Sequence, residues 1–155
     1  MDSTYRLCFA ILGDDADARD AAQEAFVAAW RGLARLHDAD RFDAWIQRVT
    51  VNAARMSHRS RRRRLVREIP VRRVPEFEDH PAVAAPAERD GRILAAALHR
   101  LDVDQRTILA LHHLEGRPVA ELAAILDIPV GTVKSRLHAA RHALRVALDM
   151  DGRGG

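Results

Sequence analysis

The sequence predicts an all-α protein: two small helical domains joined by an extended Pro-rich linker. Three observations carry that prediction. Aromatic residues make up only 5% of a chain that is 48% hydrophobic, four of the six prolines fall within residues 65–91, and apolar residues recur at helical spacing on both sides of that stretch. A core short of aromatics must be built from Leu, Ile, Val and Ala, which suits helices better than stacked sheets. At 155 residues with 30% charged, the chain has a globular composition and room for one domain or two small ones. No apolar run approaches the ~20 residues needed to span a bilayer, and the N-terminus lacks the basic-then-apolar plan of a signal peptide. The expected compartment is therefore cytoplasmic, with no membrane insertion.

Taken in order, Tyr5, Cys8, Phe9 and Leu12 mark a short first helix that Gly13 stops. The lone Cys8 excludes an internal disulfide framework and a thiolate-rich zinc site, and reads as a small buried apolar residue. Asp14, Asp15 and Asp17 suit a helix N-terminus, and Phe26, Trp30 and Leu33 follow at i, i+4, i+7, so one amphipathic helix is expected over 14–35. After a turn around His37 to Asp40, Phe42, Trp45, Ile46, Val49, Ala53 and Met56 predict a second long helix running into an Arg cluster. From Leu65 to Gly91 periodicity fails. Pro70, Pro75, Pro81 and Pro86 recur among Glu76, Glu78 and Asp79, which defines a linker between domains at 1–64 and 92–149, with 150–155 as a disordered tail.

In the second domain, Ile93, Leu94, Ala97, Leu98 and Leu101 predict a helix, and Asp104 reads as the cap of the next, which carries Ile108, Leu109, Leu111 and Leu114. Gly116 stops it. Pro118 suits the first turn of a short helix with Leu122, Ala123, Ile125 and Leu126, and Asp127-Ile128-Pro129 breaks the chain again. The last helix carries Val133, Leu137, Ala140, Leu144 and Leu148 as a stripe that must be buried.

Charge is divided more sharply than the net of +3 suggests. Residues 44–75 carry a net +9 and residues 128–155 a net +3, while 1–43 and 76–91 are each −4. Two basic zones set apart by acidic or neutral ones imply two polyanion contacts on one chain. The denser zone contains Arg59, Arg61, Arg62, Arg63, Arg64 and Arg67.

Residues 118–141 have helix-turn-helix character. With Val133 and Leu137 turned inward, Thr132, Lys134, Ser135, Arg136, His138 and Arg141 remain for solvent or a major groove, where Arg and Lys read guanine edges and Ser meets a base or phosphate. Gly131-Thr132-Val133-Lys134-Ser135-Arg136-Leu137, then Ala140-Arg141 and Leu144, resembles the −35-reading region 4 of bacterial RNA polymerase sigma factors of the extracytoplasmic-function (ECF) class, in the sigma-70 family. Glu121-Leu122-Ala123 is similar to that region's first motif helix, although the usual Ser at its start is Pro118 here.

The N-terminal unit resembles region 2 of the same class. Asp20-Ala21-Ala22-Gln23-Glu24-Ala25-Phe26, then Trp30, looks like the helix that docks on the β′ clamp helices, and Asp20, Gln23 and Glu24 share a face by the i, i+3, i+4 rule. Phe42, Trp45 and Ile46, with Val49 and Asn52, are similar to the strand-opening and −10-recognition segment. The resemblance implies that the loop containing Leu36, His37, Asp38 and Arg41 cradles a flipped nontemplate base, and that Asn52, Arg55, Arg59 and Arg62 line the strand's path. Capture of an unstacked base does require a pocket, and a single strand requires cations nearby. Trp45 reads either as core or as a border of the melted strand. The class usually carries a further helix before the segment matching Tyr5 to Leu12. Its lack implies exposed apolar surface on the following helices, and so either a truncated start or a partner that covers it.

The function expected is that of a sigma factor that binds core RNA polymerase through the β′ clamp helices and β flap, melts the −10 element and reads the −35 element of promoter DNA, with an anti-sigma factor as a further partner and no cofactor. A free-standing helix-turn-helix regulator would need a symmetric operator, and the Pro-rich tether and Gln23-Glu24 helix speak against it. A truncated sigma-like adaptor is the variant the short N-terminus favours. An enzyme is not expected: His138 and His142 have metal-pair spacing, but residue 139 is Ala instead of the Glu of a zinc protease, and no third ligand or phosphate loop accompanies them.

Overall fold

The computed structural model describes residues 2–67 and 86–152, and no strand occurs among the described residues. Seven α-helices follow one another: α1 (Asp2–Leu12), α2 (Asp15–Gly32), α3 (Phe42–Arg67), α4 (Pro86–His99), α5 (Val103–Leu109), α6 (Val119–Leu126) and α7 (Val130–Gly152). Short 3-10 turns at Leu33–Arg35 and Ala39–Arg41 lead from α2 to α3, and a π-turn at Ala110–Leu114 continues α5.

Local chemistry sets most boundaries. Gly13 adopts φ 70°, the left-handed conformation that closes α1, and its N–H donates to the Phe9 carbonyl at 2.8 Å. Asp14 caps α2 by accepting from the Asp17 N–H at 2.9 Å, with Asp15 and Asp17 in the first turn facing the positive end of the helix dipole. Asp102, not Asp104, caps α5. Its carboxylate accepts from the Gln105 N–H at 2.8 Å while the Gln105 side chain accepts from the Asp102 N–H at 3.2 Å, a reciprocal capping box that Asp104 has no Gln or Glu to complete. Pro118 is the N-cap of α6 and lies outside its first turn, and Asp127 ends α6 at φ 54°.

Two apolar registers differ from expectation. In α2 the stripe of Phe26, Trp30 and Leu33 faces outward, Trp30 being 82% exposed, and the helix buries Ala18, Ala21, Ala22 and Ala25 instead. Small side chains at i, i+3, i+4 and i+7 let α1 and α3 approach α2 closely, and that leaves the bulky stripe outside. In α3 the buried face is Gln47, Thr50, Val51 and Ala54, one residue round from the predicted series, and Met56 is exposed. Thr50 is satisfied internally, its hydroxyl donating to the Ile46 carbonyl at 2.8 Å. In α7 Val133, Leu137 and Ala140 are buried as expected, Leu144 and Leu148 are half-buried, and Ala147 completes the stripe. The helix runs through Gly152, so residues 150–152 are not a disordered tail.

α3 reaches Arg67 and α4 begins at Pro86, so helix replaces both ends of the 65–91 stretch; Pro70, Pro75 and Pro81 lie outside the described residues. The two helical units do not stand apart. α1 packs on α5 and the π-turn, α3 packs on α6 and α5, and the buried residues of both units form a single cluster from Leu7 to Ala147. A short helix such as α1 has an apolar face, Leu7, Cys8, Ile11 and Leu12, that α2 and α3 do not fully enclose, and the second unit supplies the missing wall. The outward face of α7 stays in solvent nonetheless.

Candidate nucleic-acid interface

On α7, Lys134, Ser135, Arg136, His138 and Arg141 are exposed and Thr132 is half-buried. The Ser135 hydroxyl donates to the Thr132 carbonyl at 3.1 Å, and the Arg141 guanidinium donates to His113 Nε2 at 3.3 Å. Lys134 and Arg136 thus present cations at the helix start, while Arg141 is held against the neighbouring turn. His112 and His113 come together despite their adjacent positions, because the widened π-turn sets their rings edge to face with centroids 4.8 Å apart. Partial burial, the His112 ring and Arg141 lower the His113 pKa, which keeps its Nε2 an acceptor. His112 Nδ1 donates to the Arg117 carbonyl at 2.8 Å.

On α3, Asn52, Arg59 and Arg62 are exposed. Arg55 is not free in the same way: its side chain is 24% exposed and pairs with Asp104 of α5 at 3.0 Å. Arg61 is turned to the start of α2, where it pairs with Asp14 and Asp17. Ahead of α3, Leu36 is half-buried and His37, Asp38 and Arg41 are exposed, with Asp38 accepting from the Asp40 N–H at 3.0 Å to fix the 3-10 turn. Beside that loop a cavity of about 650 Å³ opens between α1, α2, α3 and the turn at 115–117, walled by Trp30, Leu33, Phe42, Trp45 and Ile46. Phe42 and Trp45 have ring centroids 5.9 Å apart. Trp45 is half-buried, with its ring where a Cβ on Gly32 would come within 3.1 Å, and it forms part of the cavity wall.

On α2, Asp20, Gln23 and Glu24 are exposed. Beside them Tyr5, Phe26, Val27 and Trp30 line a cleft of about 610 Å³. Tyr5 donates to Asp15 at 2.6 Å, a hydrogen bond that raises the phenol pKa and lowers that of the carboxylate.

One cluster was not legible in the sequence. Gln47, only 7% exposed, donates to Glu115 Oε2 at 3.0 Å and accepts from Arg117 Nε at 2.8 Å, while Arg117 reaches Glu121 at 3.0 Å and the Ser3 hydroxyl donates to Glu115 at 3.0 Å. Apart from Arg117 and Glu121, which are four residues apart, these residues come from distant parts of the chain, and no local spacing signals their meeting. Among the described residues no group of three or more His, Cys, Asp or Glu is placed to hold a metal, and no helix is long and apolar enough to cross a membrane.

A helical bundle carrying an arginine-rich helix, followed by a helix-turn-helix with an exposed cationic face, defines a DNA-reading protein of two units. Residues 2–64 match the family model for Sigma-70 region 2, and residues 91–144 match that for Sigma-70, region 4. The chain is 32% identical over 156 residues to the RNA polymerase sigma-E factor of Streptomyces coelicolor, covering 99% of this chain and 85% of that protein. It is 33% identical over 146 residues to the ECF RNA polymerase sigma factor SigE of Mycolicibacterium smegmatis, covering 93% of this chain but only 56% of that protein. Among solved structures, the sigma factor RpoE of Bartonella quintana, crystallised with the anti-sigma factor NepR, has the same fold at a TM-score of 0.75 and 23% identity, covering 97% of this chain and 92% of that one. The chain belongs to the sigma-70 family of RNA polymerase sigma factors, in its extracytoplasmic-function class.

Proposed function

We propose that this chain is a promoter-specificity subunit: it binds core RNA polymerase, opens and holds the −10 element, reads the −35 element, and performs no catalysis of its own. The observation that carries this reading is the presence on one chain of both matched regions, each with a cationic surface open to solvent. Lys134, Ser135 and Arg136, with Thr132, His138 and Arg141, contact the −35 duplex. Asn52, Arg55, Arg59 and Arg62 follow the nontemplate strand, and the cavity beside Leu36, His37, Asp38 and Arg41, with Trp45 in its wall, receives a flipped base. Asp20, Gln23 and Glu24 dock on the β′ clamp helices, and the second unit meets the β flap. The functional partition follows residues 1–64, 65–91 and 92–149, and the site of action is the cytoplasm, where the polymerase is. An anti-sigma factor is a further partner, supported by the similar fold of a sigma factor solved with one.

The test is reconstituted transcription. The chain added to core polymerase should start transcripts at defined promoters of its native genome, where core alone does not. Failure to bind core under conditions in which an established ECF factor binds would remove the proposal.

A further inference from the structure

His112 and His113 are neighbours in the chain, and an ordinary helix would turn their rings to different faces. The π-turn at Ala110–Leu114 brings the rings edge to face instead, with centroids 4.8 Å apart. A π-turn is rare and frequent at functional sites, and this one is firmly held. The Glu115 N–H donates to the Ala110 carbonyl at 3.0 Å, the Arg117 N–H to the Leu111 carbonyl at 3.0 Å, and His112 Nδ1 to the Arg117 carbonyl at 2.8 Å, while Gly116 at φ 66° closes the chain behind them. The His113 ring therefore stands on a fixed mount, and from there its Nε2 accepts from Arg141 Nε of α7 at 3.3 Å. Arg141 follows Lys134 and His138 at i, i+4, i+7, so all three lie on one exposed face of the helix.

We propose that His113 is a positioning residue for the −35-reading face: by accepting from Arg141 Nε it fixes the guanidinium so that the two terminal nitrogens form a preset fork for a phosphate of the duplex. This inference rests on the reading of Arg141 as a −35 contact.

The chemistry of the guanidinium favours such a tether. Its N–H donors lie in one plane, and a bond made at Nε leaves those on the two terminal nitrogens free to meet two phosphate oxygens end-on. A long unrestrained side chain gives up rotamer freedom when it binds, whereas one already held gives up less, so His113 adds affinity without touching DNA. The tether needs an acceptor, and the imidazole supplies one only while uncharged. Partial burial, the His112 ring and Arg141 all lower the His113 pKa and so keep it uncharged at neutral pH. With Nε2 accepting, the ring's proton sits on Nδ1.

The test uses the full chain and the duplex that it selects from a random-sequence pool. Fluorescence anisotropy should show His113→Leu binding that duplex about threefold to tenfold more weakly than the parent, and His113→Gln, which returns an acceptor at similar reach, binding within about twofold of the parent. In an Arg141→Ala background, His113→Leu should cost nothing further, because the two residues act as one unit. NMR of the imidazole nitrogens in the free chain should place the His113 proton on Nδ1. Thermal melts followed by circular dichroism check that the variants fold. Equal losses from His113→Leu with and without Arg141 overturn the proposal, since His113 then acts on DNA or on the fold directly. Full affinity in His113→Leu, no rescue by Gln, or a proton on His113 Nε2 overturns it as well. Unchanged binding in Arg141→Ala removes Arg141 from the interface and the fork with it, a failure of the −35 reading that the Nδ1 proton, still in place, would tell apart from failure of the tether.

Discussion

Gly13 is a single residue on which two requirements meet. Its φ of 70° disfavours any residue with a Cβ, and a methyl group added there would lie 2.5 Å from Cε1 of the His99 ring. Gly13→Ala should therefore destabilise the fold by about 1–3 kcal/mol, read from urea midpoints. Combining it with His99→Ala should restore only the steric share, because the backbone strain persists; full restoration would mean that the left-handed turn is unimportant. Cys8 illustrates the opposite case, a residue whose role was plain beforehand. It is fully buried, and burial pushes its thiol pKa up to about 12, so it behaves as a small apolar side chain.

At the scale of elements, the two outward faces should be separable by mutation. Lys134→Ala with Arg136→Ala on α7 should weaken binding to a −35 duplex at least tenfold while core polymerase still binds, since base-reading pairs contribute about 1–3 kcal/mol each. Equal loss of both activities would point to misfolding. Asp20→Arg with Glu24→Arg on α2 should abolish core association in a pull-down and leave binding to the −35 duplex intact; unchanged core affinity would remove α2 from the docking surface. Helix positions were legible in the sequence because Gly13, Asp14, Gly116 and the Asp127-Ile128-Pro129 break are punctuation that acts locally. Which face each helix buries was less so. In α2 the bulky Phe26, Trp30 and Leu33 form a more conspicuous stripe than Ala18, Ala21, Ala22 and Ala25, yet small residues are the ones that permit close helix packing. In α3 the buried Gln47 is polar, and only its distant partners Glu115 and Arg117 make burial tolerable. The exposed cationic face of α7 followed directly from the inward positions of Val133 and Leu137.

The whole molecule couples its two units through charge, and this gives folding a pH dependence. His58 of α3 is faced by Arg106 of α5 and by Arg61 and Arg62 of its own helix, with Asp104 opposing them. Partial burial, then Arg106 and the other two arginines, lower its pKa from the ordinary 6.5. A histidine with a depressed folded-state pKa binds its proton more readily when unfolded, so its contribution to stability is complete above pH 6.5 and declines as the pH falls through 6.5 toward the depressed value. His113, lowered as well, acts in the same direction. Chemical denaturation between neutral and mildly acidic pH should show this decline, and His58→Gln should flatten it in part; an identical slope in the variant would exclude His58. The meeting of the units could not be inferred beforehand because its contacts span long sequence separations, as between Ser3 and Glu115 or Gln47 and Arg117.

Phe9, Phe26, Val27 and Trp30 remain in water on one side of the molecule. Such a surface favours association with whatever apolar face is available, including a second copy of the chain. Concentrated preparations should accordingly self-associate, as sedimentation would reveal. In a living cell the same stickiness makes an uncovered copy a target for chaperones and proteases. The amount of this protein that persists would then track the supply of companions able to shield it, as well as the rate at which it is synthesised.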